Sequence, residues 1–131
     1  MRIFVSYSLL CNCITKEHLS NLRRKQHLNP SISMYIDLFD NPFGYNEGEK
    51  SLCCPAHKHV MSEIKKSDVV LLLSDKTVSP WVKSELEFAN NHGIPVISIS
   101  TEDIDSLLED CEKKHLALIN KIAMFENVSS L

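Results

Sequence analysis

Five consecutive apolar residues, Val69-Val70-Leu71-Leu72-Leu73, stand between Ser67-Asp68 and a polar stretch that begins at Ser74. An uninterrupted run of that length predicts a strand buried on both faces, the kind found in parallel sheets covered by helices on each side. The residues that follow agree with this. Ser79 is suited to cap a helix, and Pro80 to be its first residue, because the N–H that proline lacks would be unpaired there anyway. Trp81 and Glu85, four residues apart, then share one face of that helix close to its start. Open α/β sheets bind their ligands beyond the carboxyl ends of the strands. Glu85 is therefore directed toward the place where such a fold keeps its chemistry.

The rest of the chain repeats the strand-then-helix pattern. Ile3 to Tyr7 is a short apolar run ending in small polar residues, and Thr15 can cap a helix reaching about Leu28, with Leu19 and Leu22 inward and Arg23-Arg24-Lys25 on the solvated face. Asn29-Pro30 stops it, since proline disfavours helix at the preceding residue. Ser33 to Leu38 reads as a second strand. Residues 40–51 collect turn formers and two of the three glycines, which marks a long loop that is functional or mobile rather than a plain connector. Residues 55–66 suit a helix with Val60 and Ile64 inward. Gly93 ends the helix that carries Glu85, and Ile94 to Ile99 is a fourth strand, with Pro95 tolerated near its start. Beyond Thr101, Ile104, Leu108, Cys111, His115, Leu118, Ile122 and Phe125 recur at spacings of four and three, which predicts a helix over about residues 102–125. No fifth strand pattern is visible. The expectation is one α/β domain over residues 1–131: a three-layer, flavodoxin-like fold with a mainly parallel sheet of four strands, or five, in the order 2-1-3-4.

Composition narrows the function classes. A net charge of -3 offers no basic face for nucleic acid and no polybasic membrane patch. The apolar runs fall far short of the roughly 20 residues of a membrane helix, and no leader-like segment follows Met1-Arg2. The expectation is a cytoplasmic protein with no nucleic-acid or membrane partner. Its five cysteines, an odd number, read as free thiols rather than a disulfide framework. Cys11, Cys13, Cys53, Cys54, His57 and His59 invite a zinc reading, but their spacing fits no common ligand pattern, so no metal is expected.

Several of these pieces fall into one frame. Phe4-Val5-Ser6-Tyr7-Ser8, the Tyr35-Ile36-Asp37 strand end, Ile64 to Ser74, Ser79-Pro80-Trp81-Val82-Lys83-Ser84-Glu85-Leu86 and Gly93 to Ile97 together resemble a Toll/interleukin-1 receptor (TIR) domain of the bacterial kind, over about residues 2–100. Some members of that family are scaffolds for signalling complexes. Others cleave nicotinamide from NAD, giving ADP-ribose or its cyclic isomers as signals, in settings such as anti-phage defence. The resemblance implies a catalytic glutamate on the helix after the third strand, which is Glu85. It implies that Ser6, Tyr7 and Ser8 line the nucleotide pocket, that Asp37, Phe43, Ser74 and Trp81 contribute to substrate binding, and that the loop over residues 40–51 governs self-association or pairing with other TIR domains. NAD would be a substrate, and no cofactor is implied. Two features depart from the family: Ser8 stands where many members carry a basic residue, and the fifth strand is missing.

The chemistry suits a single carboxylate. Cleavage of the ribose–nicotinamide bond passes through an oxocarbenium-like state, as glycoside hydrolysis does. Nicotinamide leaves neutral and needs no general acid, so a carboxylate that stabilises the developing positive charge can suffice. A non-catalytic TIR-like interaction module is one alternative. A nucleoside deoxyribosyltransferase, which also uses a glutamate at a glycosidic bond, is another. By position alone Glu85 reads as a solvated helix residue, Trp81 as core packing and Tyr7 as a strand end. Phe43 is a loop anchor or a lid over ligand, Asp37 a turn cap or a cleft residue, and Ser74 a ligand contact or a strand end. His57, His59 and His92 read as surface residues.

Overall fold

The computed structural model describes residues 1–8, 14–28, 31–43, 55–73 and 79–99. Four strands alternate with helices: β1 (Arg2–Tyr7), α1 (Lys16–Leu28), β2 (Ser33–Ile36), α2 (Asp37–Asp40), α3 (Pro55–Lys65), β3 (Val69–Leu73), α4 (Pro80–Asn91) and β4 (Val96–Ile99). All neighbouring strands pair in parallel, and their order is β2-β1-β3-β4. The fold is thus the α/β, flavodoxin-like arrangement expected. The predicted helix over residues 102–125, the question of a fifth strand, most of the loop at 40–51, Ser74 and all five cysteines lie outside the described residues.

The two faces of the sheet are built from alternate residues, as the strand period requires. On one face Ile3, Val5, Met34, Ile36, Val69, Leu71 and Leu73 form a core with Leu19 and Leu22 of α1. On the other, Phe4 and Val70 pack with Ala56, Val60 and Ile64 of α3 and with Trp81 and Ala89 of α4. Among the described residues α1 therefore covers the first face and α3 and α4 the second, as right-handed crossovers running in opposite directions from β1 dictate. Each fully buried aliphatic or aromatic side chain contributes about 1.5–3 kcal/mol.

The helix ends follow the sequence closely. His18 N–H donates to Thr15 Oγ1 at 3.2 Å, and Thr15 N–H donates to His18 Nδ1 at 3.0 Å, a reciprocal cap in which a histidine does the work usually given to glutamate. Val82 N–H donates to Ser79 Oγ at 3.2 Å, with Pro80 at the first helical position. Gly93, at φ 68°, closes α4. Two boundaries differ from expectation. β2 ends at Ile36, and residues 37–40 form a helical turn, because Asp40 Oδ2 accepts from Ile36 N–H at 2.8 Å and the chain folds back on it. β4 begins at Val96, leaving Ile94 and Pro95 as its approach, from which the Pro95 carbonyl accepts Val70 N–H at 2.9 Å.

The outer edge of β2 is closed by side chains. Ser33 N–H donates inward to Met1 O at 2.8 Å, so Met34 and Ile36 present their backbone groups outward. Arg23 Nη1 donates to Met34 O at 3.4 Å, Asp40 accepts from Ile36 N–H, and Arg23 and Asp40 form an ion pair with each other. A cleft of about 260 Å³ beside this edge is lined by Arg2, Arg23, Asp40, Glu63 and Ser67 among others, at the opposite end of the sheet from Glu85. Among the described residues no helix is long and apolar enough to cross a membrane, and no cluster of metal-ligating side chains is found.

Candidate functional site

Glu85 is 3 % exposed. It lies on the buried face of α4 with Trp81, Val82 and Ala89. The solvated-residue reading is therefore replaced by a carboxylate withdrawn from water, one turn inside the helix that begins at the carboxyl end of β3. Glu87, two residues on, is exposed. Trp81, 5 % exposed, belongs to the core formed with α3.

His57 was expected on the surface and is buried. Its position on the apolar stripe of α3, with Val60 and Ile64 at three and seven residues further, is the signal that places it inside. Its Nε2 lies 2.9 Å from Ser84 Oγ, and Ser84 Oγ donates to the Trp81 carbonyl at 2.7 Å. The imidazole stands edge-on to the Trp81 ring, with centroids 4.9 Å apart and planes at 88°. Burial holds the His57 pKa below its ordinary value of 6.5, so the ring is neutral at neutral pH. His59 is partly buried, and His92 is exposed as expected.

A second polar group gathers where β2 ends. Asp37 is buried, and its Oδ1 accepts from Tyr35 Oη at 3.0 Å and from Asn41 Nδ2 at 2.8 Å. Asn41 Nδ2 also approaches the Ala56 carbonyl of α3 at 3.3 Å, and Asn41 Oδ1 accepts from Phe43 N–H at 2.9 Å. Burial, and then the Asp37 carboxylate, raise the Tyr35 pKa above its ordinary value, so Tyr35 remains a donor to Asp37. Neither Tyr35 nor Asn41 was a candidate. Asn41 read as a turn former beside Pro42, and the turn it forms is what carries its side chain inward.

The other expected residues divide between the two faces of the sheet. Ser6 is buried in the middle of the sheet, and its Oγ has no hydrogen-bond partner among the described residues. It alternates with Phe4 and so points to the α3 and α4 side, as Glu85 requires. Tyr7 points the other way, into the core beneath α1. Its hydroxyl accepts from Leu38 N–H at 2.7 Å, which pins the turn bearing Asp37 rather than opening toward Glu85. Ser8 is buried at the end of β1. Phe43 is 57 % exposed and ends a series of ring contacts that runs from Phe4 through Tyr35 and His59.

Two polar groups thus form. His57, Ser84 and Trp81 meet at the contact between α3 and α4, the helix that also carries the buried Glu85. Tyr35, Asp37 and Asn41 gather after β2, tied to α3 through the Ala56 carbonyl. No protein-family model matches the chain, and no curated protein is similar to it. Solved structures share its fold. A 2-deoxyribosyltransferase from Bacillus psychrosaccharolyticus superposes with a TM-score of 0.56 at 14% identity, over 76% of this chain and 72% of that one. A conserved protein from Enterococcus faecalis V583 superposes with a TM-score of 0.56 at 17% identity, over 87% of this chain and 78% of that one.

Proposed function

We propose that this chain is an enzyme that breaks the bond between a ribosyl or deoxyribosyl C1′ and a nitrogen base, and that its preferred reaction is transfer of the sugar from one base to another. The observation that carries this reading is Glu85: a carboxylate buried on the first turns of α4, at the ligand-binding end of a parallel sheet. The fold shared with a 2-deoxyribosyltransferase supports it further.

The residues divide the work as follows. Glu85 attacks C1′ as the C1′–N bond breaks; the base leaves with the bonding electron pair and takes up a proton. The resulting glycosyl ester is then attacked by a nitrogen of the acceptor base, which loses its proton and restores the carboxylate. Trp81 shields the carboxylate from water, so that transfer competes with hydrolysis. Asp37, held as an acceptor by Tyr35 and Asn41, suits a sugar hydroxyl or a base N–H. A second reading, NAD cleavage of the TIR kind, rests on the Trp81-to-Glu85 spacing after the third strand and uses the same carboxylate.

Incubation with a deoxynucleoside and a different free base, and in parallel with NAD, tests both. Appearance of the exchanged nucleoside supports transfer, and free nicotinamide supports the second reading. Absence of both exchanged nucleoside and any released base, at enzyme concentrations equal to substrate, rejects the enzymatic proposal in favour of an interaction module.

A further inference from the structure

The contact between α3 and α4 assigns a role to a residue outside the reacting group. Ser84 has one proton, and it is given to the Trp81 carbonyl at 2.7 Å. Ser84 must therefore accept from His57 at 2.9 Å, which fixes the imidazole as the Nε2–H tautomer and leaves Nδ1 with its lone pair. The same ring packs edge-on against Trp81. His57 thus holds α4 at two places, at Trp81 and at the residue immediately before Glu85.

We propose that His57 is a positioning residue for Glu85, fixing the first two turns of α4 as a neutral imidazole and releasing them when it is protonated. This rests on the role given to Glu85 above. The physical reason for release is that a charged imidazole cannot stay against Trp81 in a buried site without cost, and swinging toward water relieves it. Ser84 and Trp81 of α4 touch it. The titratable and charged residues next to these contacts in sequence are Lys83, exposed, and Glu85, buried, on α4, and Lys58, exposed, and His59, partly buried, on its own helix. Asn41, bonded to Asp37, meets the carbonyl of the preceding Ala56. Burial lowers the pKa of the ring.

The test uses the full chain. Trp81 is its only tryptophan, so its emission reports whether the imidazole still stands against the indole. In the wild type, emission should change with a midpoint below 6.5, the ordinary histidine value, while far-UV ellipticity is constant. His57→Gln, whose amide N–H can still reach Ser84, should lose that transition and keep wild-type amide exchange across residues 82–86. His57→Phe keeps the packing without the donor, and should speed that exchange. With a competent substrate, kcat should fall by about ten- to a hundredfold in His57→Phe with KM little changed, and His57→Gln should recover most of it while losing the acid limb of the pH profile. A transition that persists in His57→Gln, or wild-type exchange in His57→Phe, overturns the inference. The fluorescence and exchange readings need no substrate, so an inactive wild type would reject the proposed reaction and leave these measurements to judge His57.

Discussion

Trp81 and Glu85 lie one helical turn apart on the buried face of α4, and both are withdrawn from solvent. A carboxylate so placed costs folding energy unless it is partnered, and sites of this kind concentrate where chemistry needs them.

Replacing Glu85 by Gln keeps the volume and the hydrogen-bonding capacity while removing the charge and the nucleophile. The expected result is an unchanged Tm and a loss of at least about 10²- to 10³-fold in kcat. Glu87→Gln, at an exposed position on the same helix, should leave both unchanged. Base release measured on the two variants under one set of conditions decides the matter; equal rates for Glu85→Gln and wild type would remove Glu85 from the mechanism.

Tyr35 sets an alkaline limit on stability. Its folded pKa is raised by burial and by Asp37, so the folded state holds this proton above the ordinary value of 10.0, whereas the unfolded chain releases it. The contribution is complete below 10.0 and is lost as pH rises beyond it. Tm measured from pH 8 to 11 should fall more steeply in wild type than in Tyr35→Phe; parallel curves would show that Tyr35 has no part in the decline.

The Arg23–Asp40 pair closes the free edge of β2. Being partly open to water, the ion pair itself contributes little, but Asp40 also accepts the Ile36 N–H, a bond worth about 1 kcal/mol. Asp40→Ala should therefore lower stability by about that amount and promote self-association through the exposed strand edge. Sedimentation velocity over a range of concentrations would detect it, and a variant that sediments like wild type throughout would show that the edge needs no closure.

Gly93 closes α4 in the left-handed region, with open space where a Cβ would stand. Gly93→Ala meets no clash, so its cost is that of the backbone alone, about 1 kcal/mol. Chemical denaturation should show that loss with an unchanged m-value, and Gly93→Asn should recover part of it. A neutral Gly93→Ala would mean that the turn relaxes to negative φ.

The strands were legible because a buried parallel strand is written as a run of consecutive apolar residues, and Val69 to Leu73 is one; their order came from analogy with flavodoxin-like sheets. The caps at Thr15 and Ser79 were legible for a similar reason, since each depends on residues close in sequence. His57 was legible only through its place on the apolar stripe of α3, since its partner Ser84 lies on another element. Asn41 was not, because the Ala56 carbonyl it meets lies 15 residues away. Tyr7 was placed beside the nucleotide pocket by resemblance, whereas strand alternation sends its ring to the α1 side, opposite Ser6. The end of β2 was missed because Asp37 to Asp40 has no helical periodicity over four residues; the turn is held by Asp40 reaching back to Ile36.

β1 lies in the middle of the sheet, yet it is the first strand to be made. Arg2, whose backbone N–H meets the Asp68 carboxylate at 2.8 Å, precedes that partner by 66 residues. At ordinary rates of synthesis this interval is roughly 3 to 13 seconds. During that time Ile3, Phe4 and Val5 have, of their described partners, only β2, α1 and, late in the interval, α3 to cover them. The edge of β1 that β3 will take is still unpaired. The topology therefore makes its central strand the segment of the nascent chain with the longest need for protection, and substitutions that weaken β3 should first be felt as a poorer yield of folded protein.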